Sequence, residues 1–416
     1  MTTAAGSILD PLETRTPDQR AADLAHDLPE LIAHAKTRTV AYRESLREIE
    51  PASITSREAL AELPVTRKSD LISGQRPGQP LGGFSPRPTN RLELVFQSPG
   101  PIYEPGSRTG DWWRIGRFLR ACGIGPDDIV LNCMSYHLTP AGMMIESAAA
   151  KIGATVVPAG TGQSELQARA AACIGVTAYA GTPDFLKVIL ETGDALGLDL
   201  SGIRRAAVGG GALFPSLRDA YAERGILCLQ FYGTADLGNV AYESPAMEGL
   251  IVDEGVVVEI VTPGTGQPVA DGDVGEVVVT TLNRDYPLIR FATGDLSSVL
   301  PGMSPCGRTN MRITGWKGRA DQTAKVRGMF IRPEQVAQFV DRHPDVIRAR
   351  LEIGRSGEQD TLDVRVETAD GTVDESAVSE SVRQIFRVRG RIRAHARGGL
   401  PNDGKVIDDR RRYDDG

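Results

Sequence analysis

Hydrophobic and polar positions follow one clear pattern in the middle of the chain. Between Asp127 and Gln230, short strand-like runs alternate with segments whose apolar residues recur at helical spacing. The runs are IVLNCM, ATVVP, TAYAG, AAVGG and ILCLQ. Strands that alternate with helices form a parallel sheet with covering helices, and active sites in such sheets lie at the carboxyl ends of the strands. We therefore expect a site just after these runs.

The pattern changes between Leu250 and Leu282. Close-set strands, GLIVDEGVVVEIVTP and GEVVVTTLN, are separated by Pro-Gly-Thr-Gly and Asp-Gly-Asp turns. Turns this short join antiparallel strands, so hairpins replace the helical crossovers. The first part of the chain is therefore predicted to be a mixed α/β unit.

A second pattern follows Gly318. A helix begins at Pro333, two strands read VIRARLEI and TLDVRVET, a helix runs from Glu375 to Phe386, and a strand lies near Ile392. These elements predict a small α+β domain, and a chain of 416 residues is too long for one core. We place the large α/β domain at residues 1–317 and the small domain at 318–416.

Composition narrows the classes of function. The formal charge is -7, so the chain lacks the overall basic field that would hold a nucleic-acid backbone. Its five cysteines contain no C-x-x-C pair, which fits a reducing cytoplasm better than a disulfide framework. We expect no membrane span and no secretory signal, because the longest apolar stretch is interrupted by Glu146 and Lys151 and the start is acidic.

Three segments carry the candidate chemistry. They are YPLIRFATGD, ending at Asp295; GRADQTAKVRGMFIRPEQV, starting at Gly318; and LPNDGKVID, which contains Lys405. By itself Asp295 is a turn residue and Lys405 a surface charge. In order and spacing, however, the segments resemble the ribose-binding, hinge and catalytic-lysine motifs of the adenylate-forming superfamily. The phenylacetate-CoA ligase branch is similar over nearly the whole chain, most specifically in GEVVVTTLNRDYPLIRFATGD.

This resemblance implies roles for four of these residues. Asp295 would bind the ribose hydroxyls, Arg319 the ribose and phosphates, and Asp321 would be the hinge between the domains. Lys405 would stabilise the negative charge that develops between the acyl carboxylate and the α-phosphate.

The same resemblance assigns the second half-reaction to the small domain. Arg327 and Gly328 would line the pantetheine tunnel of CoA after that domain rotates. Adenylation and thioester formation need different groups at the same carbonyl, which explains the hinge.

A further match follows the last parallel strand. Tyr232, Gly233 and Thr234 would bind the nucleotide, and Asp236, shorter than the family's usual Glu, would serve Mg²⁺. Ala235 stands where the family has a hydroxyl. The adenine-side loop would include two further glycines, Gly210 and Gly211.

The acyl pocket is implied by position alone. Tyr136 matches an aromatic residue beside the pocket, His137 follows it where Gly is more common, and Phe231 precedes the nucleotide segment. A histidine at a strand end is more often a hydrogen-bonding residue than a catalyst. All three are therefore given a pocket role only.

The phosphate loop departs from the family. A Ser/Thr/Gly-rich turn ending in Lys is replaced by FQSPGPIYEP, in which the prolines donate no amide hydrogen and Glu104 would repel a triphosphate. Ser98 and Gly100 remain as phosphate-binding candidates. The family's Cys/His zinc site is reduced to Cys306, so we expect no structural zinc.

The resemblance implies an ATP-dependent acid-CoA ligase that forms an acyl-adenylate on an aromatic or other small organic acid, with ATP, Mg²⁺ and CoA. The altered loop leaves a second hypothesis open, a diverged homologue that binds nucleotide or acyl-CoA without ligation. Apart from the altered loop, nothing in the sequence supports a purely structural role. Family members are often dimers, which leaves a homodimer open, although no segment shows an interface.

Overall fold

The computed structural model describes residues 8–98, 102–211, 213–317, 320–322, 324–327, 329–356, 359–401 and 405–410. It describes the backbone alone for residues 321, 325, 330 and 359. The chain divides into two compact units. The first comprises Met1–Thr293 and Ser297–Gly315, and the second comprises Gly294–Leu296 and Trp316–Gly416.

Helices of the first unit cover its N-terminal part and the crossovers of its sheet. The described α-helices are α1 (Pro17–Arg38), α2 (Val40–Ser45), α3 (Arg57–Ala61), α4 (Lys68–Gly74), α5 (Gly116–Ala121), α6 (Ala141–Ile152), α7 (Ser164–Ile174), α8 (Pro183–Ala195) and α9 (Pro215–Glu223). Short 3-10 helices span Pro11–Thr14, Pro51–Ser53 and Thr89–Arg91.

The strands of this unit are β1 (Thr66–Arg67), β2 (Leu94–Ser98), β3 (Ile102–Gly106), β4 (Ile129–Asn132), β5 (Thr155–Pro158), β6 (Ala178–Gly181), β7 (Arg205–Val208), β8 (Leu227–Thr234), β9 (Gly238–Tyr242), β10 (Leu250–Val252), β11 (Val256–Val261), β12 (Gly275–Thr281), β13 (Phe291–Ser297), β14 (Val299–Leu300) and β15 (Arg312–Ile313).

The largest sheet has the strand order β14-β15-β10-β9-β8-β7-β6-β4-β5. Strands β5, β4, β6, β7 and β8 are parallel, which confirms the parallel sheet predicted from the alternating pattern. The direction changes within β8, because residues up to Gln230 pair in parallel with β7 whereas Phe231 onward pairs antiparallel with β9. The carboxyl ends of the parallel strands therefore lead to the predicted site segments.

A second sheet has the order β1-β13-β12-β11. The predicted hairpin is present as the antiparallel pair β11 and β12. The predicted segment GLIVDEGVVVEIVTP does not form one continuous strand, because it contains both β10 and β11, which belong to different sheets. The chain turns between them, where the buried side chain of Asp253 accepts a hydrogen bond from the Gly255 amide and ion-pairs with Arg117 and Arg114.

The segment predicted as an altered phosphate loop forms a β-hairpin. Strands β2 and β3 pair antiparallel, with Phe96 opposite Glu104 and Ser98 opposite Ile102 as the last pair. Phe96 packs edge-on against Trp113, with ring centroids 5.7 Å apart. Buried aromatic packing thus fixes the base of the hairpin.

The second unit contains β16 (Ala324–Val326), β17 (Met329–Ile331), α10 (Pro333–Arg342), β18 (Val346–Ser356), β19 (Gln359–Thr368), α11 (Glu375–Phe386), β20 (Arg391–Ala396), β21 (Ile407–Asp409) and a 3-10 helix at Ala320–Gln322. Its main sheet has the order β20-β19-β18-β21. The predicted helix from Glu375 to Phe386 is confirmed as α11. Apolar side chains of α10 and α11 pack on the sheet around Phe339 and Phe386. The mixed two-unit α/β architecture agrees with the predicted fold class.

None of the helices in the described ranges has the length and apolar character needed to cross a bilayer.

Candidate active site

Adjacent parallel strands bring two predicted segments together at one edge of the large sheet. Val208, the last residue of β7, pairs with Gln230 of β8, so Gly209 lies beside Phe231. A Cβ on Gly209 would lie 2.3 Å from the Phe231 ring, closer than side chains pack. The ring also packs on Phe118, with centroids 5.2 Å apart. Glycine is therefore required where the predicted adenine-side loop, which continues through Gly210 and Gly211, begins.

The predicted nucleotide segment forms the end of β8 and the turn into β9. The pairing with β9 is irregular between Tyr232 and Gly233. A Cβ on Gly233 would meet the Gly238 carbonyl oxygen at 2.5 Å, so only glycine permits this approach. The Thr234 hydroxyl oxygen accepts a hydrogen bond from the Leu237 amide at 3.1 Å. Here Thr234 holds the turn that carries Asp236.

Tyr136 lies in the loop between β4 and α6, with its ring against the start of α6. Its hydroxyl accepts a hydrogen bond from Asn132 Nδ2 at 2.7 Å, and a Cβ on Gly142 would lie 2.7 Å from the ring. Burial, followed by a hydrogen bond to Glu146, raises the pKa of Tyr136. The ring is thus fixed and neutral. The His137 side chain, in contrast, is exposed.

The hairpin is joined to this acyl-side loop by its backbone. The Gln97 amide donates to the Leu138 carbonyl oxygen at 2.9 Å. Ser98 is buried and donates to the Ile102 carbonyl oxygen at 3.4 Å. Gly100, the other phosphate-binding candidate, lies outside the described residues.

Three residues near Asp236 were not predicted to act together with it. Lys68, the first residue of α4, places its Nζ 3.4 Å from Asp236 Oδ2. Glu104, on β3, is fully buried. Tyr286 is also buried, and its pKa is raised by burial and then by the charges of Asp236 and Glu104. Lys68 stands in the sequence VTRKSDL, and nothing in that pattern indicates that it faces the segment of Tyr232.

Asp236 also suits the predicted Mg²⁺. Its Oδ1 is buried and has no hydrogen-bond partner in the part of the chain that is described. A carboxylate oxygen is the kind of donor that Mg²⁺ prefers, and such sites are completed by waters and substrate phosphates. No group of three or more His, Cys, Asp and Glu residues that could hold a metal occurs within the described ranges.

Asp295 lies in β13, in the stretch Gly294–Leu296 of that strand that is assigned to the second unit. It is buried, and its Oδ1 accepts a hydrogen bond from Trp316 Nε1 at 3.1 Å. Trp316 is the residue at which the second unit resumes after Gly315. The side chain of Asp295, the predicted ribose ligand, is therefore held by Trp316 of the same unit.

Lys405 is exposed, and its Nζ lies 3.4 Å from Asp408 Oδ1. Burial by itself raises the pKa of Asp408. Hydrogen bonds from Arg410 and Arg350 outweigh burial and lower this pKa to about 2. Asp408 is thus a permanent anion that holds the Lys405 ammonium near the start of β21.

The predicted hinge is tied to the same strand. Gln322 closes the 3-10 helix that includes the backbone of Asp321, and its Oε1 accepts hydrogen bonds from the amides of Val406 and Ile407 at 2.5 and 3.1 Å. Because those residues directly follow Lys405, any rotation about the Asp321 backbone carries the lysine with it. The side chain of Asp321 is outside the described part.

Of the remaining predicted residues, Arg327 is exposed between β16 and β17. Its amide donates to Asp360 Oδ2 at 3.1 Å and its Nε to the Asp360 carbonyl oxygen at 3.0 Å. Arg319 and Gly328 lie outside the described residues.

Cys306 occurs in a buried hydrogen-bonded cluster. Burial by itself raises the pKa of the Cys306 thiol. Hydrogen bonds from Ser244, Ser304 and Arg308 outweigh burial and lower this pKa. Arg308 forms a fully buried ion pair with Glu13. The Cys306 thiol is thus hydrogen-bonded by the side chains of Ser304 and Arg308.

Comparison with known proteins agrees with this architecture. Residues 112–283 match the family described as AMP-binding enzyme. The phenylacetate-coenzyme A ligase of Escherichia coli (strain K12) is 31% identical over 387 residues, which cover 88% of this chain and 86% of the relative. The phenylacetate-coenzyme A ligase of Aromatoleum evansii is 28% identical over 377 residues, covering 86% of this chain and 84% of the relative.

A solved structure shares the fold. The crystal structure of 2-hydroxyisobutyryl-CoA ligase in the postadenylation state, in complex with R3-HIB-AMP, aligns with a TM-score of 0.79 at 22% identity, covering 96% of this chain and 91% of that one. The similarity at sequence level extends through both units. The chain therefore belongs to the phenylacetate-CoA ligase family of AMP-binding enzymes.

Proposed function

We propose that the protein is an AMP-forming acid-CoA ligase that activates an aromatic or other small organic acid with ATP and transfers the acyl group to CoA. An acid carboxylate oxygen attacks the α-phosphorus of ATP, and pyrophosphate leaves. The CoA thiolate then attacks the carbonyl carbon of the acyl-adenylate, and AMP leaves. The chain's task is to position the reactants and to stabilise the charge that develops.

The observation that carries this proposal is the contact between Gly209 and Phe231. It brings the glycine loop beside the strand that ends in Tyr232, so the two predicted adenylate-binding segments adjoin at the carboxyl edge of the sheet. Ligands of open α/β sheets bind at this edge. Phe231 and Tyr136 supply aromatic surface, which supports an acid with an apolar body.

We assign Lys405 the role of the cation that stabilises the negative charge developing during adenylate formation. It is exposed, and its Nζ lies 3.4 Å from Asp408 Oδ1, a surface ion pair of the kind that contributes little and can exchange for a substrate carboxylate and phosphate. The hydrogen bonds that the Val406 and Ile407 amides donate to Gln322 connect the segment of the lysine to the predicted hinge. We assign Arg319 and Asp295 to the ribose, and Arg327 with Gly328 to CoA.

ATP, CoA and a carboxylic acid are the proposed ligands, with Mg²⁺ held at Asp236. Bound Mg²⁺ would neutralise phosphate charge. A cytoplasmic location, the absence of nucleic acid as a partner, and a homodimer stay predictions.

The hairpin favours one alternative. A buried Glu104 stands where the family has a lysine-bearing loop, so a homologue that binds AMP or acyl-CoA without using ATP remains the second candidate.

A nucleotide titration separates the two. The ligase predicts that ATP with Mg²⁺ raises the melting temperature and that CoA alone raises it less. Stabilisation by AMP or CoA, with none by ATP and Mg²⁺ and no acid-dependent pyrophosphate release, would favour the alternative.

A further inference from the structure

Arg350 contacts both the backbone of Lys405 and the anion that pairs with the lysine side chain. Its Nη1 donates to the Lys405 carbonyl oxygen at 3.1 Å, and its Nη2 donates to Asp408 Oδ2 at 2.9 Å. Asp408 Oδ1 in turn lies 3.4 Å from Lys405 Nζ. Because the guanidinium group presents its donors in a rigid fork, one arginine can bind both acceptors. Arg350 therefore connects the lysine to its counter-ion.

The register of the small sheet places Arg350 at this point. Leu351 and Ile353 of β18 belong to the hydrophobic core, so Arg350 projects from the opposite face of the sheet. β18 and β21 are parallel neighbours, with Leu351 opposite Ile407. Arg350 therefore lies beside the chain that directly follows Lys405. Its side chain is only 4% exposed, so the surrounding protein fixes its orientation.

Arg348, two residues earlier on the same face of β18, binds the chain before the lysine. Its Nη1 donates to the Pro401 carbonyl oxygen at 3.1 Å and its Nη2 to the Leu400 carbonyl oxygen at 2.5 Å. Glu367 supports this contact, because its Oε2 accepts hydrogen bonds from Arg348 Nε at 3.0 Å and from the Leu400 amide at 3.2 Å. Two arginines of one strand thus bind the chain at residues 400–401 and at Lys405.

The charge of Asp408 alone does not account for Arg350. Asp408 Oδ2 also accepts a hydrogen bond from Arg410 Nε at 2.8 Å, so this carboxylate is compensated without Arg350. Arg350 adds the hydrogen bond to the Lys405 carbonyl oxygen. A contact with the backbone of a residue determines where its side chain begins, whichever partner the side chain then binds.

We propose that Arg350, supported by Arg348, is a positioning residue that holds the backbone of Lys405 while its ammonium group exchanges Asp408 for the reacting carboxylate and phosphate. The inference rests on the proposed function, in which Lys405 serves adenylate formation and other residues serve transfer to CoA. A cation stabilises a developing charge only from a defined position, and a displacement of about 1 Å can slow a reaction about 100-fold.

The test compares the two half-reactions in Arg350→Met. Acid-dependent pyrophosphate exchange should slow by about 10- to 100-fold, the range expected for a lost hydrogen bond from a charged group, with an unchanged KM for ATP. Single-turnover transfer from a preformed adenylate to CoA should be unchanged, because Lys405 does not take part in it. Arg348→Gln should also slow exchange alone, by a smaller factor, because Glu367 keeps its bond to the Leu400 amide.

Arg365→Met is the matched control. Arg365 lies directly opposite Arg350 on β19, and it pairs with Glu352 at 3.0 Å. The variant therefore removes an arginine from the same part of the sheet and leaves the contacts of Arg350 with Lys405 and Asp408 in place. Both half-reactions should proceed as in the wild type.

Limited digestion with trypsin gives a readout that does not depend on activity. Trypsin cleaves after Lys405, at the carbonyl group that accepts the hydrogen bond from Arg350. Release of residues 406–416, followed by mass spectrometry, therefore reports how firmly this backbone is held. Release should be about tenfold faster in Arg350→Met than in the wild type and unchanged in Arg365→Met. If Arg350→Met melts far below the wild type, the more exposed Arg348→Gln decides by the same measurements.

Equal losses in both half-reactions would show that Arg350 only stabilises the small unit, and would overturn the proposal. Unchanged exchange in both arginine variants, with exchange lost in Lys405→Ala, would also overturn it, while the ligase function would stand. If Lys405→Ala exchanges pyrophosphate as the wild type does, the role assigned to the lysine fails, and this inference fails with it.

Discussion

Gly209 lies against the ring of Phe231 so closely that a Cβ on the glycine would be 2.3 Å from the nearest ring carbon. The contact joins the loop after β7 to the segment of β8 that leads to Tyr232. Space for a ligand at this edge therefore depends on the missing side chain.

Gly209→Ala is predicted to displace the Phe231 ring. The overpacking should lower the free energy of unfolding by about 1–3 kcal/mol and raise the KM for the acid, as the ring moves within the predicted pocket. Urea denaturation and steady-state kinetics measure the two effects.

The matched control is the double variant Gly209→Ala/Phe231→Leu, since leucine lacks the ring atoms that overlap. Its loss of stability should be smaller than the sum of the losses in the two single variants. Strict additivity would show that the contact is not the cause.

The buried ion pair of Glu13 and Arg308 is predicted to hold the N-terminal segment in place. Both side chains are 0% exposed, so Arg308→Met leaves a buried carboxylate without its partner and should cost about 3–5 kcal/mol of unfolding free energy. Urea denaturation of Arg308→Met, Glu13→Gln and the double variant measures this. The double variant should lose less than the two single variants together.

Zinc analysis of the purified protein complements that experiment. Because Cys306 is hydrogen-bonded within the same cluster, we expect no stoichiometric zinc. About one zinc ion per chain would contradict the prediction.

Arg327 is predicted to serve only the second half-reaction. Arg327→Ala should reduce thioester formation with CoA by about 10- to 100-fold, the range expected for a lost charge-assisted hydrogen bond, and leave pyrophosphate exchange unchanged. Single-turnover transfer from a preformed adenylate to CoA measures the effect. Arg391→Ala, an exposed arginine on β20, is the control, and equal loss in both half-reactions would refute the assignment.

The parallel sheet and the second unit could be predicted because strand and helix periodicities are local in the sequence. The helix from Glu375 to Phe386 was found at its observed bounds for this reason. The break between β10 and β11 was not predicted, because it depends on the ion pair between Asp253 and Arg117, which is distant in sequence.

The cluster around Asp236 was missed for the same physical reason. Lys68, Glu104 and Tyr286 come from three separate segments, and only the tertiary fold brings their side chains to one carboxylate. Read alone, Glu104 was interpreted as a charge that repels phosphate.

The proposed role of Lys405 in adenylate formation can be measured by acid-dependent exchange of labelled pyrophosphate into ATP. Arylacetic and other small acids are screened with the wild type, Lys405→Ala and the control Arg383→Ala, an exposed residue of α11. We predict exchange in the wild type and the control, and a loss of about 100-fold or more in Lys405→Ala with an unchanged melting temperature. Undiminished exchange in Lys405→Ala, or none in the wild type with any acid, would contradict the account.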